Sequence, residues 1–276
     1  EFSRDDDRAT ASFERLLVAT DARIGLRVDA GHAALAAKLL ATAGDRALTL
    51  ILTGTPAQQA AVSAQLAPGG QHRVLAEVID VSHIGHFPFA HHGLVAKGHE
   101  AGGWVGADTS YILAQKLLGK TELPVFMQGS IGVHSAAALR AMGAAGVIFE
   151  DQLLLLAESP LSESLQNELA RLNGAETRLF GELIDEPCRV YSRPGTPTLK
   201  AADIDNNQVE AGDLPVDAWR SHLIANLGWN GGEQFMPIGQ GIGLAATYRS
   251  QYRSVGRFIQ AVRRASTKHV ESAVAT

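Results

Sequence analysis

"PVFMQGSIGVHSAAALRAMGAAGVIFED" (residues 124–151) carries the pattern that decides the fold class. Its opening, "LPVFMQGS" (123–130), is a short apolar run closing in small residues, the mark of a buried strand and a tight turn. "HSAAALRAMGAA" (134–145) is rich in alanine and leucine and predicts a helix, and "GVIFED" (146–151) predicts a second strand. Strand, helix and strand with short connections build a parallel crossover unit.

The same rhythm runs back towards the amino end. "RIGLRVDA" (23–30) predicts a strand and "HAALAAKLLATAG" (32–44) a helix stopped by Gly44. "ALTLILTG" (47–54) is a continuous apolar run, expected to be a strand buried on both faces. "TPAQQAAVSAQLAPGG" (55–70) predicts a helix with Thr55 as cap, Pro56 in the first turn and Pro68-Gly69-Gly70 as its stop. "RVLAEVIDV" (73–81) predicts another strand, and "TSYILAQKLLG" (109–119) a helix capped by Thr109. Repeated alternation of this kind means a parallel α/β fold, either a barrel or an open sheet.

Beyond residue 160 the pattern loosens. "SPLSESLQNELARLNGAE" (159–176) offers an amphipathic helix, and "TRLFGELIDEPCRVYSRPG" (177–195) a short strand pair or extended loop. "DIDNNQVEAGD" (203–213) reads as polar and turn-rich, and "VDAWRSHLIANLGW" (216–229) as a helix. A last unit runs from "FMPIGQGIG" (235–243) into "LAATYRSQYRSVGRFIQAVRRA" (244–265). Residues 1–22 and 266–276 are expected to be a leader and a linker. Between them, 23–265 form a single domain with an irregular insertion at about 160–232. The ends suggest a domain cut from a longer polypeptide.

With 46% hydrophobic and 19% charged residues, the composition is that of a soluble globular chain. A net charge of −5 gives no global reason to bind nucleic acid or an anionic membrane. A single cysteine, Cys188, excludes an internal disulfide and fits a reducing cytoplasm. No apolar run is long enough to span a bilayer.

Three glycine-rich turns sit where strands meet helices: "GHEAGG" (98–103), "QGSIG" (128–132) and "GQGIG" (239–243). Glycine there lets backbone approach a ligand, and helix N-termini behind such turns offer N–H groups to a phosphate. Tight turn geometry is the alternative account. His99 and Glu100 lie inside the first turn, where a general acid or base could face a ligand. His83, His86, His91, His92 and His99 cluster in sequence, but no cysteine or carboxylate set completes a metal site, so no metal is expected. On the last helix Arg249, Arg253, Arg257, Arg263 and Arg264 form either a solvated surface or a docking strip for an acidic partner, with Arg253 and Arg257 as its candidates. There is no Gly-x-Ser-x-Gly elbow and no phosphate loop of the triphosphatase kind.

"KGHEAGG" (97–103), "PVFMQGSIGVHSAAALRAMGAAGVIFEDQLLL" (124–155) and "GQGIGLA" (239–245) together resemble the nitronate monooxygenase and flavin-type enoyl-acyl-carrier-protein reductase superfamily. "EAGGWVGADTSYILAQKLL", "QLLLLAESPLSE", "CRVYSRPG" and "GWNGGEQFMPIGQ" look like a subgroup, the nitronate-monooxygenase-like domain of bacterial type I polyketide and polyunsaturated fatty acid synthases. The resemblance implies a TIM-barrel-like (β/α) barrel of the FMN-binding type. It also implies an FMN lined by Gly102, Gly103, Gln128, Gly129, Ser130, Gly239 and Gln240, and NAD(P)H reducing a carrier-bound enoyl thioester. Glu100 or His99 would orient substrate or move a proton, and Trp104 would face the substrate pocket. Acyl carrier protein and neighbouring synthase domains would be the partners, with a homodimer as a further state.

Three departures from that pattern stand out. Trp104 occupies the place of the superfamily's catalytic histidine, and an indole cannot shuttle a proton at neutral pH. Glu150-Asp151 replace the Gly-Thr or Gly-Ser pair that helps hold the FMN phosphate, and carboxylates beside a phosphate repel it unless they turn away or bind a cation. The superfamily's first strand, with its Pro-Met loop, is not found before Arg23, so the barrel is expected to lack its first βα unit. Three readings follow: an FMN-dependent enoyl reductase domain, a flavin-free barrel acting as scaffold or carrier-docking domain, and a nitronate monooxygenase.

Overall fold

The structure is a computed structural model that describes residues 6–67, 69–229 and 232–274. It divides into two compact units, residues 1–95 and 96–276.

The first unit opens with α1 (Asp6–Ala19), followed by β1 (Ile24–Val28), α2 (Ala33–Ala43), β2 (Leu48–Leu52), α3 (Pro56–Leu66) and β3 (Arg73–Val78). Its strands are parallel, with Leu26 opposite Leu50 and Leu50 opposite Val74. Leu48, Leu50 and Leu52 are buried while Thr49 and Ile51 are half-buried, so β2 commits one face more fully than a continuous apolar run suggests. The Thr55 hydroxyl accepts the Gln58 N–H at 3.3 Å and the Gln58 side chain accepts the Thr55 N–H at 2.9 Å, a capping box that starts α3 as its sequence predicts.

Residues 6–19 are not the structureless leader that their polar sequence suggests. From Asp6 the chain is helical, and Phe13 is buried with Ala9 and Leu17 beside it, packed with Leu35 and Leu39 of α2. Burying that ring is worth about 2 kcal/mol and anchors the helix, whose outer surface is polar apart from the exposed Leu16 and Val18. Among the described residues no strand precedes β1. The four histidines at 83, 86, 91 and 92 lie after β3; His92 Nδ1 accepts the Val74 N–H, and the His91 ring packs against Phe87 and Phe89.

β4 (Leu94–Lys97) crosses the division between units. The second unit continues with β5 (Gly103–Trp104), α4 (Ser110–Leu117), β6 (Val125–Gln128), α5 (Val133–Ala141) and β7 (Gly146–Ile148). β6 and β7 are parallel, with Phe126 opposite Gly146. Then come α6 (Glu163–Leu169), β8 (Thr177–Phe180), β9 (Cys188–Tyr191), α7 (Pro197–Ala211), α8 (Val216–Asn226), α9 (Ile242–Tyr252) and α10 (Val255–Val274). β5, β9 and β8 form a small antiparallel sheet, covered by Leu199 and Val209 of α7 and by Trp219 and Leu223 of α8.

The expected irregular insertion is therefore an ordered α/β layer. "DIDNNQVEAGD", read as turn-rich, is largely the second half of α7, whose start is set by the Thr196 hydroxyl accepting the Leu199 N–H with Pro197 at the first position. The carboxyl-terminal helix likewise runs on to Val274, past the expected linker boundary. No helix among the described residues is long and apolar enough to cross a membrane.

An ion pair ties α6 to the segment after β9. Arg193 meets Glu168 at 2.8 and 2.5 Å, and the Tyr191 hydroxyl donates to the same carboxylate at 3.1 Å. These donors hold the Glu168 carboxyl below its ordinary value of 4.5, and burial pushes the Tyr191 phenol up to about 12. A depressed carboxylate stabilises the fold fully above pH 4.5 and loses that contribution as pH falls through its folded value. Glu168→Gln should therefore cost about 1 kcal/mol at pH 7 and bring the variant's acid melting curve closer to the parent's below pH 4, checked by thermal melts across pH.

Candidate functional site

The turn 98–103 is built by close backbone packing within the second unit. The Gly98 N–H donates to the Gln128 carbonyl at 2.9 Å. Glu100 turns onto the first residue of α4: the Ser110 N–H reaches both carboxylate oxygens at 3.1 Å, and the Ser110 hydroxyl donates to one of them. Thr109, the predicted cap, makes no side-chain capping bond, so Glu100 does that work from ten residues upstream. The Nδ1 of His99 lies 2.8 Å from the Gly106 carbonyl oxygen, and its backbone N–H donates to Asp108 at 2.8 Å. Both side chains proposed for proton transfer are thus engaged in closing the 98–110 loop.

The glycines of the first and third turns face each other. A Cβ on Gly102 would strike the Pro237 carbonyl, and one on Gly239 would strike the Glu100 carbonyl. Gln240 donates its N–H to that Glu100 carbonyl at 2.9 Å. Gly129 of the second turn is lined by Glu100, since a Cβ there would lie 2.8 Å from the carboxylate. Glu100, Gly102, Gln128, Gly129, Gly239 and Gln240 are thus brought close together. Their bare backbones make room for one another.

Whether FMN fits depends on the N–H groups that a phosphate would need. Gly239 donates to the buried Asp151 carboxylate at 2.7 Å. Gly132 donates to the Ser135 hydroxyl at 2.6 Å, Val133 to the Tyr248 hydroxyl at 3.2 Å, and Ile131 back to Gly129 at 2.8 Å. Gln152, fully buried, fills the space behind the second turn, its amide donating to the carbonyls of Gly129 at 2.8 Å and Ile131 at 3.0 Å. Asp151 and Gln152 lie in a single 3-10 turn shortly after β7, and the sequence resemblance places the phosphate-binding pair at Glu150-Asp151, the first of which caps that turn. One observation points the other way: the Ser130 hydroxyl is shielded and has no hydrogen-bond partner. A single free hydroxyl does not offset a buried carboxylate on the Gly239 N–H, and a dianionic phosphate does not fit beside that carboxylate.

Trp104 lies elsewhere. It pairs with Cys188 across β5 and β9, meets the Trp219 ring edge-on at 5.9 Å, and carries the Arg220 guanidinium 4.7 Å above it. It packs, half-buried, against the core of the small sheet. Arg253 is exposed where α9 ends, at a φ of 64°, and Arg257 is exposed in the first turn of α10.

Two buried cations escaped the sequence reading. Arg189, 4% exposed, donates to the His99 carbonyl at 3.1 Å and the Thr177 hydroxyl at 3.2 Å. Burial holds its pKa down, against the pull of Glu100 and Glu182. Lys97 is also buried, its ammonium beside Gly103. Only the end of the apolar run "LVAK" and the strand "CRVY" signalled them, and neither spacing distinguishes an inward cation from an outward one.

No family model matches the chain, and no curated protein shows significant similarity to it. Solved structures do match in fold. Across 98% of its length the chain aligns with FabK from Thermotoga maritima, covering 84% of that chain at a TM-score of 0.71 and 18% identity. Nitroalkane oxidase from Streptomyces ansochromogenes aligns over 97% of this chain and 87% of its own, at 0.64 and 16% identity. The enoyl reductase domain of MlnA, from the macrolactin biosynthesis cluster of Bacillus amyloliquefaciens, aligns over 99% and 88%, at 0.64 and 10% identity. The chain thus has the TIM-barrel-like α/β fold shared by FabK, nitroalkane oxidase and the MlnA enoyl reductase domain.

Proposed function

We propose that this chain is a flavin-independent docking domain on an enoyl-reductase-type barrel, serving an acyl carrier protein and neighbouring domains of a polyketide or fatty acid synthase. The observation that carries the reading is the buried Asp151 carboxylate seated on the Gly239 N–H at 2.7 Å. It supplies, from within the chain, the anion that this turn would otherwise take from a cofactor. Glu100 and His99 support it too, because both are occupied in holding the loop. The synthase context rests on the sequence resemblance and on the fold shared with the MlnA domain.

The test is an absorption spectrum of purified protein mixed with excess FMN and then desalted. A colourless product is expected; stoichiometric flavin in the protein fraction would overturn the reading. A second reading is an FMN-dependent domain that reduces a carrier-bound enoyl thioester with NAD(P)H. The unpartnered Ser130 hydroxyl favours it. Nitronate oxidation has less support, because Trp104 stands in place of histidine and packs against the small-sheet core.

A further inference from the structure

A half-open groove of about 630 Å³ lies between α5 and α10, at the start of β7. That is the opposite end of the strand from the turn carrying Asp151 and Gln152. Ala136, Ala144, Ala145, Gly146, Val147 and Val262 give it an apolar lining, while Arg140 of α5 and Arg263 of α10 also line it. Among the described residues neither guanidinium has an ion-pair partner and no carboxylate lines the groove. The chain as a whole is acidic at −5, yet residues 242–267 contain five arginines and no aspartate or glutamate. Positive charge has been concentrated here against the overall balance.

We infer that this groove receives an acidic amphipathic helix of a partner protein, its apolar side chains on the alanine and valine lining and its carboxylates on Arg140 and Arg263. The inference rests on the reading of the chain as a docking domain and names the surface. A concave apolar strip between two cations suits a helix, which presents both kinds of side chain at a spacing of three or four residues. It suits a flat lipid surface poorly. The docking residues also differ from those that the sequence suggested. Arg257 lies six residues before Arg263, about 120° around the helix, and does not line the groove.

The test titrates the intact protein with a purified bacterial acyl carrier protein, an acidic helical probe, by calorimetry. Anionic phosphatidylglycerol vesicles are titrated in parallel. Binding to the carrier is expected. Arg140→Glu and Arg263→Glu should each weaken it about tenfold, and Arg257→Glu should leave it nearly unchanged. Ala145→Trp, at an exposed lining position, should block it without touching a charge, so the inference stays testable if an arginine variant misfolds. No carrier binding, or binding indifferent to Arg140, Arg263 and Ala145, would overturn it. Vesicle binding lost in the same variants would overturn it in favour of a lipid surface. A protein that retains FMN yet binds carrier through Arg140 and Arg263 would refute the flavin-free reading while leaving the docking site standing.

Discussion

Replacing Glu150-Asp151 by glycine and threonine is expected to give a protein that keeps FMN after desalting, whereas the parent is expected to elute colourless. The substitution removes the carboxylate that takes the Gly239 N–H and supplies a hydroxyl in its place. A freed buried donor facing a charged acceptor is worth about 1.5–3 kcal/mol, and loss of the facing negative charge adds to it. Affinity for FMN should therefore rise by about 10- to 150-fold or more, read as quenching of flavin fluorescence. Gln152 is left in place because its amide donates to the Gly129 and Ile131 carbonyls and its side-chain oxygen accepts the Glu150 N–H at 2.9 Å, leaving the Gly239 N–H untouched. Without FMN the variant should be less stable by about 1–3 kcal/mol, since Gly239 loses its acceptor, and added FMN should restore the melting temperature. Equal flavin affinity in parent and variant would show that Asp151 is not what keeps the cradle closed.

Gly102→Ala should be among the most destabilising single methyl additions in the second unit. The new Cβ would meet the Pro237 carbonyl, which is backbone and cannot swing aside as a flexible side chain would. Moving it would also disturb Gly239, Gln240 and the bond from Gln240 to Glu100. Overpacking of this kind costs about 3 kcal/mol, lowering the melting temperature by roughly 6–12 °C. Gly119→Ala is the control, because a Cβ there meets nothing within 4 Å. Calorimetric melts of the two variants would separate close backbone packing from a general intolerance of alanine.

Repeating periodic segments made the fold legible. The strands at 48–52 and 125–128 and the capped helix from Pro56 follow from apolar runs, punctuation and capping residues close together in the chain. What escaped depends on distant partners. Helix α1 looks polar until Phe13 finds α2, and α7 hides behind a polar surface although Thr196 and Pro197 mark its start. The site was legible as a meeting of three glycine turns, and the structure brings them together. Its contents were not, because no local pattern shows which way Asp151 and Gln152 point or that Glu100 caps a helix ten residues on. The acidic pair was visible as a departure from a phosphate site. Only geometry shows that one member of it, Asp151, accepts the Gly239 N–H.

Cys188, the one thiol of the chain, is fully buried on β9, and burial pushes its pKa up to about 12 despite Lys97 and Arg220 nearby. At neutral pH almost none of it is thiolate, and reagents that attack thiolates cannot reach it while the small sheet is closed. Its rate of alkylation is therefore governed by how often β9 comes away from its neighbours. The molecule thus carries an internal clock for the opening of its own three-stranded layer, readable by mass with no label added to the chain.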